Sequence, residues 1–434
     1  MVRQVREARA AAIHLAAAVT VCAAGAGAVL CAQTGISAND QTVVRDMLHQ
    51  VRDDLEKNYY DRAFHGVDVR ARFDDAERRL KAASNIDEAT AIVAESLLQL
   101  DDSHTVFIPP DRSIKVDYGW KMAMIGDAAL VVDVSPGSDA ARQGLEPGDR
   151  VLRLNRFEPT RANLWQLAYL YRFIEPQVQQ HLIVRTPEGT ERTLDVRSRV
   201  TKRGTLPIDA LVDELLNMAG DILDREAPVG PDVLVWKMPV FGSPDQVDEA
   251  VGKARGHKAL VLDLRGNGGG AVTALRELVS RSFDRQVLLA VERRRGRERR
   301  EVARPARHPF GGTLVVLVDS RSASAAEMFA RIVQLERRGR VVGDRTAGAV
   351  MTSRFFPHSI GLGAVAFYAT SITVGDVRMS DGGSLEKVGV TPDEAVLPTP
   401  QDLAAGRDPA LARAVELAGG RISPEDAGRL FADR

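Results

Sequence analysis

Residues 311–331 read GGTLVVLVDSRSASAAEMFAR, a pattern that predicts a strand, a turn of small residues and a helix in direct succession. The aliphatic run 314–318 shows no alternation of apolar and polar residues, which is typical of a strand buried on both faces. The helix opens at Glu327 and carries apolar residues along one side. Such a turn can hold the hydroxyl of Ser324 beside backbone N–H groups, which makes Ser324 a candidate nucleophile. A serine N-cap without chemistry is the alternative that this stretch alone leaves open.

The first 32 residues are expected to be an export signal that is removed from the mature protein. Three arginines precede the Ala-, Val- and Leu-rich run 10–30, and small-residue cleavage sites lie near its end. Both cysteines of the chain, Cys22 and Cys31, lie in this segment, so the mature protein would have no disulfide and no cysteine metal site. We therefore expect an exported bacterial protein that is periplasmic or secreted.

The charge of the chain gives no sign of a nucleic-acid partner. The formal net charge is −1 over 434 residues, which provides no global field for nucleic acid or anionic lipid. The basic run RRRGRERR at 293–300 lacks interleaved aromatic residues, so a solvated hairpin tip is the better interpretation. Beyond the export signal, no stretch is apolar enough to span a membrane.

The rest of the chain divides into four segments by pattern. A helical pattern covers 37–112, and Asn85 is a favourable start for its last helix. Short strands and turns follow over 113–200. Strands alternate with helices over 205–400, which predicts a sheet layered with helices, and a helical tail occupies 401–434. The alternating part is predicted to contain strands 233–238, 259–264, 287–291, 314–318 and 340–342, and helices 244–254 and 272–282.

The 113–200 segment has the order strand, SPGSDAARQGLEPGDRVLRLN, helix and closing hairpin. In this order it resembles a PDZ domain. The resemblance implies a module that binds the free C-terminus of a polypeptide by strand addition, with backbone N–H groups holding the carboxylate. Gly119 and Trp120 stand where the carboxylate-binding loop of that family lies. A helix over 208–223 is expected to link this module to the part that follows.

A glycine-rich turn, LDLRGNGGG at 262–270, follows a buried strand and precedes a helix. Backbone without side chains can approach a substrate closely and offer N–H donors to a developing oxyanion. Two alternatives exist: a tight turn without chemistry, and a dinucleotide fingerprint of the G-x-G-x-x-A form that starts at Gly266. An exported protein meets little of such a cofactor, so we expect none.

A polar cluster, Asp-Ser-His-Thr, stands at 102–105 beside an apolar run. A single histidine on a loop, here His104, is often an ordinary hydrogen-bonding residue, and that alternative stays open on this cluster alone. The other histidines show no spacing typical of metal ligands, so no metal site is expected.

Taken together, these motifs stand in the order helical region, Asp-Ser-His-Thr, PDZ-like module, Asp-Leu-Arg-x-Asn-x-Gly-Gly, Ser-Ala-Ser-Ala-x-Glu and Glu-Lys-Val-Gly-Val-Thr-Pro-Asp. In this order the chain resembles the carboxyl-terminal processing (tail-specific) serine peptidases over about residues 40–400, in the branch shared with the tricorn core protease and retinoid-binding-protein-like relatives. The resemblance implies a multidomain α/β protein: an N-terminal helical region, a PDZ-like β module and an α/β peptidase domain of crotonase-like ββα type. It also implies an endopeptidase that acts on unfolded or C-terminally recognised polypeptides without a cofactor.

The resemblance assigns the nucleophile and the oxyanion donors to particular residues. Ser324 matches the nucleophile, and the N–H groups of Gly269 and Ala325 match the oxyanion donors. In the processing branch a lysine base stands 25 residues after the nucleophile, and Ala349 occupies that position here. The lysine dyad of that branch is therefore absent.

The tricorn-like branch uses a Ser-His pair and a Glu instead, and Ser103, His104 and Glu386 match them. The resemblance thus implies that His104 is the general base for Ser324 and that Glu386, through Ser103, orients the imidazole. A neighbouring carboxylate stabilises imidazolium, so we expect Glu386 to raise the pKa of His104.

Two other functions fit parts of the sequence. The chain could be a catalytically inactive, PDZ-containing peptide-binding protein on a peptidase scaffold, because a fold does not guarantee turnover. Crotonase-type acyl-CoA chemistry shares the double-glycine oxyanion logic, but it predicts neither an export signal nor a PDZ-like insert. The intact Ser324, His104 and Glu386 favour the peptidase.

Overall fold

The structure, a computed structural model, describes residues 36–207, 210, 224–361 and 365–431. The predicted export signal (1–32) and nearly all of the predicted linking helix (208–223) lie outside these residues. Among the helices that the structure describes, none is both long and apolar enough to cross a membrane.

The described part of the chain begins with three helices and a short strand. They are α1 (Ala38–Asn58), α2 (Val69–Leu80), α3 (Ile86–Leu98) and β1 (Val106–Ile108). The side chain of Asn85 accepts a hydrogen bond from the N–H of Glu88 at 2.8 Å, which confirms the predicted helix start. The apolar side of α1 is buried against its neighbours and comprises Val44, Met47, Leu48, Val51 and Leu55.

The middle of the chain forms a five-stranded antiparallel sheet in the order β3-β4-β5-β6-β7, flanked by a two-stranded ribbon of β2 and β8. The elements are β2 (Ile114–Asp117), β3 (Trp120–Ile125), β4 (Ala128–Val134), α4 (Asp139–Arg142), β5 (Arg150–Leu154), α5 (Leu164–Tyr169), β6 (Gln179–Arg185), β7 (Glu191–Arg197) and β8 (Arg199–Lys202). We call β3 to β7 with α4 and α5 the five-stranded module. Its strand β3 lies at the edge of the sheet.

Two sheets make up the second half. Its elements are β9 (Arg225–Val229), β10 (Val233–Lys237), α6 (Pro244–Ala254), β11 (Ala259–Asp263), α7 (Val272–Ser282), β12 (Val287–Arg294), β13 (Arg297–Ala303), β14 (Thr313–Val318), α8 (Ala325–Leu335), β15 (Arg340–Gly343), β16 (Met351–Ile360), β17 (Ala366–Arg378) and β18 (Glu394–Ala395). The first sheet has the order β18-β15-β14-β11-β10-β9 and is parallel except for β9. This confirms the predicted α/β fold with N-terminal helices.

Both faces of the parallel sheet are covered, which explains why its strands lack polar alternation. Leu234 and Trp236 face a core shared with α6, α7 and α8. Val233 and Val235 face the opposite core. A short helix, α9 (Pro400–Ala404), has no buried residue. The second core is completed by the two helices that follow it, α10 (Pro409–Leu417) and α11 (Pro424–Arg429).

The strand expected at 287–291 does not lie in the parallel sheet with the other strands predicted for this part of the chain. It is part of β12, which pairs with β13 and β17 in an antiparallel sheet that also contains β1 and β16. The long hairpin of β16 and β17 was not expected from the sequence. Through β1 and β17 this second sheet contacts the N-terminal helices, and Tyr368 and Ile372 of β17 share their core.

Candidate active site

Three turns meet at the carboxyl edge of the parallel sheet. They follow the neighbouring strands β11, β14 and β15, and side chains at such an edge come together because the strands run in the same direction. Backbone hydrogen bonds join the turns: Ala323 N–H donates to Asn267 O at 2.8 Å, and Ala347 N–H donates to Ser322 O at 3.0 Å. This packing places Ser324 between the glycine-rich turn and residues 344–350.

Ser324 has an unusual backbone conformation. Its φ of 54° and ψ of −116° lie in a sparsely populated region for a residue with a side chain, which costs about 1–3 kcal/mol. Its N–H donates to Ala349 O at 2.9 Å and to Glu327 Oε2 at 3.2 Å, and its carbonyl accepts from Met328 N–H at 2.9 Å. The surrounding structure therefore holds this residue in place against its own preference, as is common at functional sites.

Gly269 lies directly against Ser324. A Cβ at Gly269 would stand 2.6 Å from Ser324 Cβ, so only glycine fits there, and its φ of 104° also favours glycine. The N–H of Gly269 donates to the side-chain Oδ1 of the buried Asn267 at 2.8 Å. Among the described residues we find no hydrogen-bond partner for the N–H of Ala325, the other predicted oxyanion donor.

Glu327, one turn into α8, ties the turn of Ser324 to residues 346–349. Its fully buried carboxylate accepts hydrogen bonds from Thr346 Oγ1 at 2.5 Å and from the N–H groups of Gly348 and Ala349 at 2.8 Å, besides that of Ser324. Burial raises the pKa of Glu327 to about 7, against the opposing effect of these four donors.

Ser103 bonds to both His104 and Glu386, although 283 residues separate Ser103 from Glu386. Ser103 Oγ lies 2.7 Å from His104 Nδ1 and 2.9 Å from Glu386 Oε2. The N–H of Ser103 donates to Glu386 Oε1 at 3.0 Å, and that of Val350 donates to Glu386 Oε2 at 2.9 Å. The carboxylate thus connects the histidine turn with the turn after β15.

The hydrogen-bond roles in this cluster follow from the carboxylate. Because ionised Glu386 only accepts, Ser103 O–H donates to it, and Ser103 Oγ in turn accepts from the Nδ1–H of His104. This tautomer leaves His104 Nε2 with a lone pair. Glu386 and Asp102 favour imidazolium, but burial has the larger effect and lowers the pKa of His104. Glu386 does favour the protonated ring, as expected, but burial outweighs its effect, so the net shift of the pKa is downward.

A short path of contacts joins Ser324 to His104. Ser324 N–H bonds to the carbonyl of Ala349, the next residue Val350 bonds to Glu386, and Glu386 bonds to Ser103 beside the histidine. Within the described part of the chain, no hydrogen bond joins Ser324 Oγ to the ring of His104. Catalytic hydrogen bonds are often long before substrate binds, so this geometry is compatible with a nucleophile and base.

Three other side chains with a suitable hydroxyl or amine have partners away from Ser324. Ser322 is fully buried, and its hydroxyl donates to Leu264 O at 2.7 Å. Lys387 Nζ pairs with Asp101 at 2.7 Å on the surface, and Lys121 pairs with Asp133 at 3.3 Å in the five-stranded module. None of these side chains makes a hydrogen bond to Ser324.

The predicted peptide-binding residues lie at the start of the edge strand β3. The N–H of Gly119 donates to Asp117 Oδ1 at 2.9 Å, and a Cβ at Gly119 would stand 2.4 Å from Ser138 Cβ. The indole N–H of Trp120 donates to Gln180 Oε1 at 3.0 Å. A peptide carboxylate would therefore have to compete with Asp117 for the Gly119 N–H.

The sequence prediction missed three supporting residues, Asp102, Asn267 and Glu327. Two of them have local signals. Asp102 Oδ1 accepts from the N–H groups two and three residues later, a turn pattern typical of Asp, and Glu327 stands three residues after Ser324, the spacing of a capping pair. Asn267 gave no signal beyond its place in the glycine-rich turn. Across the described residues, no group of three or more His, Cys, Asp or Glu side chains could hold a metal ion.

Comparison with known proteins places this site in a family. Residues 232–396, which include the glycine-rich turn, Ser324 and Glu386, match the model of peptidase family S41. The chain carries a peptidase S41 domain. The S41 match and the relatives described next make the chain a serine-type peptidase, a hydrolase, by family.

The S41 relatives extend beyond the matched domain. A carboxyl-terminal-processing protease of Picosynechococcus sp. is 26% identical over 81% of this chain and 83% of that protein. A chloroplastic carboxyl-terminal-processing peptidase 2 of Arabidopsis thaliana is 25% identical over 78% of this chain and 66% of that protein. The tail-specific protease of Haemophilus influenzae is 26% identical over 74% of this chain but only 47% of its own length.

A solved structure shows the same fold as this S41 chain. It is mature CPAF in complex with lactacystin, with a TM-score of 0.64 over 85% of this chain and 96% of that chain. The sequence identity is 15%, so the likeness concerns the fold alone.

Proposed function

We propose that the chain is an exported serine endopeptidase that cleaves peptide bonds in unfolded or C-terminally recognised polypeptides. Ser324 is the nucleophile, His104 the general base, and Ser103 with Glu386 the orienting pair. The observation that carries this proposal is the unbroken path of contacts from Ser324 through Ala349 and Val350 to Glu386, Ser103 and His104. Peptidase S41 membership of the surrounding domain supports it.

In this mechanism Ser324 Oγ attacks the scissile carbonyl while His104 Nε2 takes the hydroxyl proton. The Nδ1–H of the imidazolium stays hydrogen-bonded to Ser103 Oγ, whose O–H donates to Glu386. His104 returns the proton to the leaving amine, which frees the new N-terminus. Water then attacks the acyl-enzyme while His104 takes its proton. His104 returns that proton to Ser324 Oγ as the new C-terminal carboxyl group leaves.

The N–H groups of Ala325 and Gly269 are the proposed oxyanion donors. Ala325 N–H is available in the described structure, whereas Gly269 N–H has to be shared with Asn267 Oδ1 or released from it. The close contact of Gly269 with the Ser324 side chain supports its place beside the reacting carbonyl. No cofactor or metal takes part in the proposed reaction.

We also propose that residues 113–200 are a PDZ-like domain that recognises polypeptide C-termini. The edge position of β3 supports strand addition. The proposed division of the chain is an export signal at 1–32, a helical region at 37–112, this domain, a peptidase domain at 205–400 and a helical tail at 401–434. The peptidase would act outside the cytoplasm.

The test is Ser324→Ala, which keeps Cβ and removes only Oγ. Loss of a nucleophile costs on the order of 10⁶ in kcat. We expect cleavage of an unfolded polypeptide, followed by mass spectrometry of new termini, to vanish while the unfolding transition stays near that of the wild type. Ser322→Ala is the matched control, because its hydroxyl bonds to Leu264 O and to Asp319 and makes no hydrogen bond to Ser324. Cleavage by Ser324→Ala within tenfold of the wild-type rate would contradict the assignment.

A peptide-binding protein without turnover is the second candidate. The absence of a His104–Ser324 hydrogen bond within the described residues and the engaged Gly269 N–H favour it. A fluorophosphonate probe separates the two, since covalent labelling of Ser324 requires an activated hydroxyl. Unlabelled wild-type protein that still binds peptides would identify the second function.

A further inference from the structure

Asp102 links the histidine turn to two other parts of the fold. Its side chain is almost completely buried, with 5% of its surface exposed. Oδ1 accepts hydrogen bonds from His104 N–H at 3.0 Å, Thr105 N–H at 2.7 Å and Thr373 Oγ1 at 2.7 Å. Oδ2 accepts from the hydroxyl of Tyr59 at 2.8 Å.

These four donors come from three elements that are distant in sequence. Tyr59 follows α1, Thr373 lies on β17, and the two N–H groups belong to the turn that carries His104. Thr105 and Thr373 add a reciprocal pair of hydrogen bonds at 3.1 Å, which holds the turn against the sheet. The histidine turn is therefore attached to β17 on one side and to Glu386 on the other.

The hairpin of β12 and β13 supports this arrangement from outside. Arg295 at its tip donates to the carbonyls of Tyr59 and Glu56 at 2.9 Å, at the C-terminus of α1. A cation there complements the helix dipole and fixes the end of the helix. The basic run expected to be a solvated tip thus also holds Tyr59 in position for Asp102.

We propose that Asp102 is a positioning residue for His104, and that its charge helps to stabilise imidazolium during the reaction. The inference rests on the proposed function. Asp102 touches no reacting atom and acts through the histidine turn. The charged groups whose fields favour protonated His104 are Glu386 and Asp102, so Asp102 supplies the second negative charge at the base.

Among the described residues, four neutral donors and no cation form hydrogen bonds with this carboxylate, so no direct partner there neutralises its charge. Burying an unpaired carboxylate costs free energy, and the four hydrogen bonds offset part of that cost. Burial and the charge of Asp102 raise the pKa of the Tyr59 phenol, which keeps Tyr59 protonated as a donor. Asp102 therefore stays an acceptor for all four groups.

The test compares Asp102→Asn with Asp101→Asn in the full chain. Asparagine keeps an oxygen for the three donors on Oδ1, and the Tyr59 hydroxyl can turn to accept from the new amide. The matched control, Asp101, lies one residue earlier on the same turn but is exposed and pairs with Lys387. We expect Asp102→Asn to lower kcat with little change in KM, and to move the acid limb of kcat/KM to lower pH because imidazolium loses a stabilising charge. Asp101→Asn should leave both unchanged.

Two further variants separate geometry from charge. Asp102→Ala removes every hydrogen bond and should cost about 10²-fold in kcat/KM, as displaced catalytic groups do. If it does not fold, Tyr59→Phe tests the same attachment, because it removes a single donor and keeps the ring; we expect a lower kcat at unchanged KM. An Asp102→Asn limb that coincides with the wild-type limb, or unchanged kcat in Tyr59→Phe, would overturn the proposal.

The same assays distinguish a failure of this inference from a failure of the proposed function. If Ser324→Ala and His104→Ala abolish cleavage but the Asp102 variants behave as the wild type, only the positioning role is wrong. If Ser324→Ala cleaves at the wild-type rate, the proposed mechanism fails, and with it the role of Asp102.

Discussion

Glu327 makes the stability of this protein depend on pH in a direction that follows from its burial. The side chain is fully buried, and desolvation raises its pKa from 4.5 to about 7. Between these two values the folded protein binds one proton more than the unfolded chain, so the free energy of unfolding falls as pH rises. A difference of about 2.5 pH units at 1.36 kcal/mol each amounts to about 3 kcal/mol.

Glu327→Gln removes this titration without changing the shape of the side chain. At any pH the amide presents one acceptor and one NH₂ group to four donors, so the variant loses about two hydrogen bonds, each costing roughly 1–3 kcal/mol. Because the amide does not titrate, the stability of the variant lacks the pH dependence that Glu327 gives to the wild type. We therefore expect the wild-type stability, relative to the variant, to be highest below pH 4.5 and to decrease by about 3 kcal/mol as pH rises through 7.

Urea unfolding of both proteins at half-unit steps from pH 4 to 8 measures this difference. Parallel stability curves would show that Glu327 does not titrate in this range. If the free energy of unfolding of the wild type, relative to that of Glu327→Gln, rises with pH, the reasoning is refuted more strongly. It would mean that the four hydrogen bonds outweigh burial and hold the carboxylate ionised, with a pKa below 4.5.

Three other predictions concern the site and the five-stranded module. In the profile of kcat/KM against pH, we expect an acid limb below the ordinary histidine value of 6.5, because burial lowers the pKa of His104. Glu386→Gln should move this limb to still lower pH, because the imidazolium loses a stabilising charge. A limb near pH 9 to 10 would instead indicate a lysine base. Gly269→Ala should reduce the cleavage rate by at least about 10²-fold, because the new Cβ would collide with Ser324. Gly252→Ala is the control, because a Cβ there meets open space. Near-normal turnover by Gly269→Ala would exclude this glycine from the oxyanion site. Calorimetry should show tighter binding of a peptide with a free C-terminal carboxylate than of its amide; equal affinity would exclude carboxylate capture near Gly119.

The sequence by itself determined the local elements and indicated the candidate site residues. The uninterrupted aliphatic run before Ser324 indicated a strand buried on both faces, and the structure has β14 covered on both sides. Asn85 marked the start of α3, and the predicted bounds of helix 272–282 are those of α7. Such features depend on side-chain periodicity and capping, which are properties of neighbouring residues. Ser103, His104 and Glu386 follow from the matched motifs, and the structure brings them together through Ser103.

The tertiary structure decided everything that depends on partners distant in the chain. Only the fold shows that strand 287–291 belongs to the antiparallel sheet and not to the parallel one, because apolar periodicity indicates burial but not the pairing partner. Only the fold reveals that Asn267 engages the N–H of Gly269 and that Asp102 meets Tyr59 and Thr373. The tertiary structure also decides the direction in which the pKa of His104 shifts. A sequence can identify the neighbouring carboxylate, but the larger effect is desolvation, which exists only once the chain has packed around the imidazole.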